Sequence, residues 1–213
     1  IVVSNGAKHA ISNTFIALLD PGDEVIIPKP YWVSYPEMVK LTGGVPVYVD
    51  TKKENNFKLT PEELKAAISP KTKILLICNP SNPTGAVYTR EELEKLVDIC
   101  LENNIYIISD EIYERICYTD EYVSTASLSE KAKEMTITIN GLSKSAAMTG
   151  CRIGYTASNA KIAKAISTIQ GHLVSHPSTI SQWAAYGALT KGEKEMKEMV
   201  EVYRKRRDKA IEI

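Results

Sequence analysis

The sequence has no excess of either charge and no long apolar run. Its 26 lysine and arginine residues balance 26 aspartate and glutamate residues, so the formal net charge is zero. Without a basic excess, a nucleic-acid or anionic-membrane partner is not expected. No segment resembles a signal peptide, and no apolar stretch is long enough to span a bilayer. These absences predict a cytoplasmic protein that binds a small molecule or a second copy of itself.

Cysteine is scarce and falls into no metal-binding or redox pattern. The four cysteines, Cys78, Cys100, Cys117 and Cys151, include no C-x-x-C pair, and their spacing fits no zinc template. Cys78 and Cys100 lie in apolar runs. We therefore expect reduced, buried thiols and no metal site.

What is present is the composition of an ordinary soluble domain, with 213 residues of which 44% are apolar and 24% charged. Both ends look cut, because the sequence opens on the strand-like run Ile1–Val3 and stops inside a charged helical pattern. We therefore expect a fragment of a longer chain.

Short β-branched runs alternate with longer helical patterns, and no internal repeat or low-complexity segment interrupts them. The pattern predicts strands at Ile1–Ser4, Glu24–Ile27, Val45–Val49, Lys73–Cys78, Ile105–Ser109, Met135–Ile139 and Cys151–Ala157. It predicts helices at Ala7–Leu19, Tyr35–Leu41, Thr60–Ile68, Thr89–Asn103, Ile162–Gln170, Ser178–Leu189 and Glu193–Ile213. This order predicts an α/β fold with three αβα layers and a mostly parallel sheet, whose ligands bind beyond the carboxyl ends of the strands.

Several loops after predicted strands have the composition of binding sites. The run Ser4–Lys8 opens straight into a helix, where free N–H groups favour an anion, although a plain turn would also carry its glycine. The loop Asn79–Gly85 has two Asn-Pro steps and a final glycine, a rigid arrangement that favours a functional role. Trp32 is either a surface on which a flat ring stacks or a core residue.

Two charged residues follow apolar strands. A carboxylate at Asp110 needs a cation or a strong donor if it is buried there. Its neighbour Glu111 is expected to be a surface or helix-start acid. Lys144, among small residues, is either an ordinary surface lysine or an amine nucleophile that can form a Schiff base.

Together these loops resemble the fold-type I aminotransferases that depend on pyridoxal 5′-phosphate (PLP), specifically the class I and II family that includes bacterial aspartate aminotransferases. The resemblance covers nearly the whole sequence in the same order. It rests on Asn82-Pro83-Thr84-Gly85, on Asp110 through Tyr113, and on Ser143-Lys144 with Arg152 eight residues further on. It implies that residues 1–191 are the PLP-binding large domain. It also implies that residues 192–213 begin a linking helix toward a small C-terminal domain, and that an N-terminal segment precedes Ile1.

The resemblance implies a role for each matching residue. Lys144 matches the lysine that forms the Schiff base with PLP and moves the substrate α-proton. Asp110 matches the aspartate that pairs with the protonated pyridine nitrogen. Asn82 and Tyr113 match the residues that hydrogen-bond the phenolic oxygen, and Arg152 matches the arginine that clamps the phosphate. Lys144, Asp110 and Tyr113 are the expected catalytic residues.

The remaining matches are expected to bind the cofactor. Gly6, Ala7 and Lys8 match the turn that cradles the phosphate, mainly through backbone N–H groups, and Trp32 matches the aromatic residue that stacks on the ring. The implied activity transfers an amino group from an L-amino acid to a 2-oxo acid, with aspartate slightly favoured among substrates. The implied assembly is a homodimer in which a second subunit completes the active site.

Three features depart from the family pattern. Many relatives carry serine or threonine where this sequence has Gly141, so one phosphate contact is lost or is supplied by the backbone. Close relatives carry tryptophan where this sequence has Cys151, which predicts looser packing there around a thiol that is either buried, as we expect, or locally reactive. The small domain, which in this family binds the substrate α-carboxylate through an arginine, is outside the sequence.

Other interpretations remain open from the sequence. Another fold-type I PLP chemistry, such as a β-lyase or decarboxylase-like reaction, shares the same motifs. Some transcription regulators use an aminotransferase-like domain only to sense PLP, but no helix-turn-helix segment and no basic footprint are present here. A pure interaction domain would leave Lys144, Asp110 and Arg152 unexplained together.

Overall fold

A single β-sheet forms the centre of the computed structural model, which describes residues 1–119 and 122–212. The strands are β1 (Val2–Ser4), β2 (Glu24–Lys29), β3 (Val45–Asp50), β4 (Thr72–Cys78), β5 (Tyr106–Asp110), β6 (Thr136–Gly141) and β7 (Gly154–Ala157). Within the described ranges these seven strands are ordered β1-β7-β6-β5-β4-β2-β3.

Two helices of the described ranges begin at the caps that the sequence predicts. Thr60 and Thr89 each accept a hydrogen bond from the backbone of the third helical residue, and Glu63 and Glu92 return the bond, which makes two capping boxes. The helices are α1 (Ala7–Leu18), α2 (Ser34–Lys40), α3 (Pro61–Ala67), α4 (Arg90–Glu102), α5 (Glu130–Met135), α6 (Leu142–Ser145), α7 (Ala160–Leu173), α8 (Thr179–Lys191) and α9 (Glu193–Ile211).

The core consists of two layers of side chains, one on each face of the β-sheet. Alternate strand residues point to opposite faces. In β2, for example, Val25 and Ile27 pack in a cluster with α1, α2 and α7, whereas Ile26 packs in a cluster with α3, α4 and α5. The three-layer αβα architecture predicted from the sequence is therefore confirmed.

Strand direction brings distant loops to one edge of the sheet. The pairs β2–β3, β2–β4, β4–β5 and β5–β6 are parallel, whereas β6–β7 and β7–β1 are antiparallel. Because β7 is reversed, its first residue Gly154 lies opposite Gly141, the last residue of β6. Gly154 also pairs with Ser4, the last residue of β1. The loops after β1, β4, β5 and β6 therefore meet the loop that precedes β7.

The observed elements mostly match the predicted ones to within two residues at each end. The predicted strand Cys151–Ala157 is wrong at its start, because Arg152 has a φ of 52°, which an extended strand does not allow. The sequence did not predict α5 and α6, which are too short to show a helical period. The last residue of the predicted helix Glu193–Ile213 lies outside the described residues. No described helix is both long and apolar enough to cross a membrane.

Candidate active site

A cavity of about 250 Å³ opens at the edge where these loops meet. Every site residue predicted from the sequence lines it except Gly6, which is buried immediately before Ala7. The lining consists of Ala7, Lys8, Trp32, Tyr35, Cys78, Asn82, Asp110, Ile112, Tyr113, Ser143, Lys144, Thr149 and Arg152. Side chains that are far apart in sequence thus converge on one space.

Asp110, the last residue of β5, is buried at the floor of this cavity. The hydroxyl of Tyr35 donates a hydrogen bond of 2.6 Å to its Oδ2, and the backbone N–H of Ile112 donates one of 3.2 Å to its Oδ1. Among the described residues, Asp110 forms no ion pair with lysine or arginine. The predicted strong donor is therefore Tyr35.

Burial controls the charge of Asp110. Desolvation raises the pKa of this carboxyl from 3.8 to about 6, although the Tyr35 hydroxyl and the Ile112 N–H both lower it. The neighbouring carboxylate of Glu111 raises it further. The result is a carboxylate that would gain from a cation placed in the cavity.

Lys144 enters the cavity from α6, a single helical turn that directly follows β6. The turn is anchored because the N–H of Leu142 donates to the carbonyl of Ile153 at 3.1 Å, and Leu142 packs against Ile153 and Ala185. The half-buried side chain of Lys144 places Nζ 5.7 Å from the centroid of the Tyr113 ring. This is within the range of a cation–π contact. Burial raises the pKa of Tyr113, so its hydroxyl stays protonated at neutral pH.

Asn82 reaches the cavity from a loop that is closed on itself. The N–H of Ser81 donates to the carbonyl of Ala86, and the N–H of Gly85 donates to the carbonyl of Ser81, both at 2.9 Å. The buried Oδ1 of Asn79 accepts from the N–H of Tyr88 at 3.1 Å. The loop Asn79–Gly85 is thus tightly specified, as its composition predicted.

The start of α1 and Arg152 together form a site for an anion. Helix α1 has no side-chain cap, and in the described ranges the N–H groups of Ala7 and Lys8 donate to no protein acceptor. The guanidinium of Arg152 lies beside Gly6 and donates to the carbonyl of Thr149 at 2.8 Å. Free N–H groups at a helix start and a guanidinium both favour an anionic group.

Gly6 is required at this site for two reasons. Its φ is 86°, in the left-handed region that side chains rarely adopt. A Cβ at this position would also lie 3.0 Å from Cζ of Arg152. A larger residue would therefore displace the guanidinium from the anion site.

Trp32 forms a wall of the cavity. It is half-buried, and its ring stands at 86° to the ring of Tyr35, with 5.3 Å between the two centroids. Nζ of Lys8 lies 4.9 Å from the centroid of the Trp32 ring. Trp32 thus lines the site while its inner side packs against the core.

The structure bears on two of the three departures from the family pattern. It explains the glycine at position 141, and it corrects the prediction made for Cys151. A Cβ at Gly141 would lie 2.8 Å from the carbonyl oxygen of Ile153, so the close β6–β7 pairing leaves no room for a side chain. Cys151 is half-buried, so the prediction of a buried thiol at this position is wrong. Cys78 and Cys117 are also only half-buried, although all four cysteines are free.

The expectation that Glu111 is a surface acid is wrong, because its side chain is buried in a polar cluster. Its carboxylate accepts hydrogen bonds from Ser109, Tyr122 and Ser124 side chains at 2.8 to 3.0 Å, and from the N–H of Thr125 at 3.2 Å. Burial nevertheless raises its pKa. Glu111 therefore holds the segment Tyr122–Thr125 against the end of β5, next to Asp110.

Sequence reasoning missed the cavity residues Tyr35, Cys78, Ser143 and Thr149. The position of Tyr35, three residues after Trp32, could have indicated that it lies near the site. In the structure its N–H donates to the Trp32 carbonyl at 3.1 Å, which closes a turn. Cys78 ends the buried strand β4, where burial raises its pKa to about 12. Its thiol is thus protonated at neutral pH.

A family model described as aminotransferase class I and II matches residues 1–213. The chain belongs to that family. Among curated relatives of the family, an aspartate aminotransferase from Bacillus sp. (strain YM-2) is 54% identical over 97% of this chain and 53% of its own length. An aspartate aminotransferase from Bacillus subtilis is 52% identical over the same shares.

Solved structures of class I and II aminotransferases share this fold. The structure described as aspartate aminotransferase from Thermus thermophilus with maleate has a TM-score of 0.94 and 47% identity. The match covers 99% of this chain and 55% of that one. The chain therefore spans about half the length of the relatives it matches.

Proposed function

We propose that the protein is an aminotransferase that uses PLP, held in the cavity described above. The observation that carries the proposal is the convergence of Lys144, Asp110 and Arg152 on one cavity. The three groups are an amine, a buried carboxylate and a guanidinium, and a PLP molecule has one chemical partner for each of them. Membership in the class I and II family supports the same cofactor.

The residues present fit the cofactor. PLP has a basic ring nitrogen, and a cation there would relieve the burial cost that raises the pKa of Asp110. Its phosphate suits the free N–H groups of Ala7 and Lys8 beside Arg152. Asn82 and the protonated hydroxyl of Tyr113 are donors suited to the phenolic oxygen. The flat ring of Trp32 suits a stacked aromatic ligand.

When bound, PLP supplies an aldehyde that condenses with amines and a ring that takes up electrons from the substrate α-carbon. Nζ of Lys144 would be the amine that holds the cofactor, and it would move the proton at the substrate α-carbon. Asp110 would hold the proton on the ring nitrogen, and the Tyr35 hydroxyl favours the ionised form of the Asp110 carboxyl. Arg152 and the turn at Gly6 fix the orientation of the ring.

The proposed reaction moves an amino group from an L-amino acid to a 2-oxo acid. Aspartate is the proposed donor, because the similar curated proteins are named aspartate aminotransferases. We also propose that the cofactor-binding domain is residues 1–191, that α9 belongs to a segment leading away from it, and that the protein acts in the cytoplasm.

A homodimer is part of the proposal. Helix α8 exposes several large apolar side chains, including Ile180, Trp183 and Leu189, with exposed fractions of 83%, 69% and 54%. Large apolar side chains exposed on more than one side of a helix are typical of a surface that another protein covers. A second copy of the chain is the proposed occupant, and sedimentation of the wild type and of Trp183→Glu would test it. A monomeric wild type would contradict the dimer.

The proposed function is tested by trapping the cofactor on the protein. The protein is incubated with PLP and reduced with borohydride, and the pyridoxyl adduct is located by peptide mass spectrometry. An adduct confined to Lys144 that is absent from Lys144→Ala is the expected result. No adduct on Lys144 would refute the PLP site. Release of pyruvate and free ammonia, with no new amino acid formed from the 2-oxo acid acceptor, would favour a β-lyase over an aminotransferase.

A further inference from the structure

A buried glutamine lies directly behind the turn proposed to hold the phosphate. Gln170 is on the face of α7 that also carries Ile162 and Ile166, and all three are buried against the core. An amide placed on an apolar helix face costs free energy unless its hydrogen bonds are made. The neighbouring positions show that an apolar residue would suit this face, so the amide requires an explanation of its own.

The amide of Gln170 is bonded to β1. Its Nε2 donates to the carbonyl of Val3 at 2.6 Å, and its Oε1 accepts from the hydroxyl of Ser4 at 2.6 Å. Its Oε1 also accepts a longer bond of 3.4 Å from Nδ2 of Asn13 on α1. Ser4 and Asn13 are fully buried.

These bonds act on an exposed edge of the sheet. Strand β1 has only three residues and pairs with β7 on one side, so it lies at the end of the strand order. The outer edge of such a strand has unpaired backbone groups. The amide of Gln170 bonds one of them, the carbonyl of Val3, where a further strand would otherwise be needed.

The position of Ser4 determines the position of Gly6. The carbonyl of Ser4 accepts a hydrogen bond of 2.7 Å from the N–H of Gly6, and Gly6 starts α1 beside Arg152. The N–H of Asn5 donates to Nδ1 of His9 at 3.2 Å. The turn Ser4–Ala7 is therefore fixed by the bond from Asn5 to His9 and by the bond from Ser4 to Gln170.

We propose that Gln170 is a positioning residue for the phosphate of the cofactor, acting through Ser4 on the turn Ser4–Ala7. The inference rests on the proposed PLP site and adds to it a residue that does not touch the cavity. A residue that positions the phosphate site affects ligands with a phosphate and spares ligands without one. A residue that only stabilises the fold affects both kinds of ligand equally.

The test compares PLP with pyridoxal, which lacks the phosphate, in the protein as it is naturally expressed. The substitution Gln170→Met keeps the length of the side chain and removes its hydrogen bonds. We expect the dissociation constant of PLP to rise about tenfold and that of pyridoxal to change less than about twofold, as for the weakening of a charge-assisted hydrogen bond. Both constants are measured by absorbance titration of the folded variant.

Two further variants keep the test decisive. Ser4→Ala removes only the Ser4 bond to Gln170, and it decides the question if Gln170→Met does not fold. Ile166→Val, on the same face of α7, lowers stability without removing a hydrogen bond to β1, and we expect it to leave the ratio of the two constants unchanged. An unchanged ratio in the folded Gln170 or Ser4 variant, or equal weakening of both ligands, would overturn the positioning role.

The outcome also separates this inference from the proposed function. If the wild-type protein forms no adduct on Lys144, the PLP site itself is wrong. If the wild type binds PLP through Lys144 and the variants keep its preference for PLP over pyridoxal, only the role of Gln170 is wrong.

Discussion

The hydroxyl of Tyr35 donates a hydrogen bond of 2.6 Å to Oδ2 of Asp110, and both side chains are almost completely buried. Burial raises the pKa of Asp110 and also raises the pKa of Tyr35 well above its usual value. The tyrosine therefore remains a donor over the whole physiological pH range. It opposes the effect of burial on the carboxyl and fixes the direction of one carboxylate oxygen.

Removal of that donor by Tyr35→Phe is expected to cost about 2 kcal/mol of stability at pH 8, where Asp110 is ionised, because hydrogen bonds to charged groups contribute about 1.5–3 kcal/mol. The loss should be smaller at pH 5, below the pKa of about 6, where the carboxyl is protonated. Urea unfolding at both pH values measures the difference. Tyr106→Phe, on the same strand β5 as Asp110, is the control and should lower the free energy of unfolding little at either pH. Equal losses for Tyr35→Phe at pH 5 and pH 8 would contradict this explanation.

The pH dependence of the cofactor-free protein should carry the signature of Asp110. A carboxyl whose folded pKa is raised contributes stability below its unfolded pKa of 3.8 and loses it as the pH rises through about 6. The shift corresponds to about 3 kcal/mol as an order of magnitude. We expect Asp110→Asn to remove this part of the pH dependence. The difference in free energy of unfolding, variant minus wild type, should therefore be larger at pH 8 than at pH 4. The same slope in both proteins would show that Asp110 does not titrate as proposed.

The polar cluster around Glu111 predicts a large effect of a small change. Glu111→Gln replaces an acceptor oxygen with a donor, although the side chain is surrounded by the donors Ser109, Tyr122, Ser124 and Thr125. Unsatisfied buried groups cost about 1–3 kcal/mol each, so the free energy of unfolding should fall by about 2–3 kcal/mol. Denaturant unfolding measures it. The control Glu114→Gln, whose side chain forms a 3.8 Å ion pair with Arg115 and no other ion pair among the described residues, should change stability by less than about 0.5 kcal/mol. Equal effects would contradict the cluster.

Restoration of the residue that many relatives carry at position 141 should weaken this protein. Gly141→Ser places a Cβ 2.8 Å from the carbonyl of Ile153, so β6 and β7 must move apart. Overpacking of this kind costs about 1–3 kcal/mol. Gly150→Ser is the matched control, because among the described residues no atom beyond its chain neighbours lies within 4 Å of its added Cβ. Thermal unfolding of the two variants should differ clearly, and a Gly141→Ser protein as stable as the wild type would show that the strands can separate without cost.

The sequence predicts the features that depend on local patterns. The capping boxes at Thr60 and Thr89 and the closed loop at Asn79 follow from residues within ten positions of one another. The cavity lining also follows, because parallel strands place their ends together and because the family motifs mark Asn82, Asp110, Lys144 and Arg152.

Features that depend on long-range contacts were not predictable in the same way. Tyr35 and Asp110 are 75 residues apart, and Ser4 and Gln170 are 166 apart. Whether a polar side chain has a buried partner depends on packing, as Glu111 shows. The positive φ of Arg152, before the start of β7, is likewise not predictable from its residue type, because side chains rarely adopt this conformation.

The strand order has a consequence for the synthesis of the protein on the ribosome. The half of the cavity around Asp110 depends on β4 and β5, which are complete once Asp110 has emerged. The half around Gly6 needs β7, because Ser4 pairs with Gly154. The first strand must therefore wait for a partner about 150 residues behind it, and contacts of such long range slow folding. Phosphate binding should thus be acquired late in folding, and its appearance would show that β1 has joined the sheet.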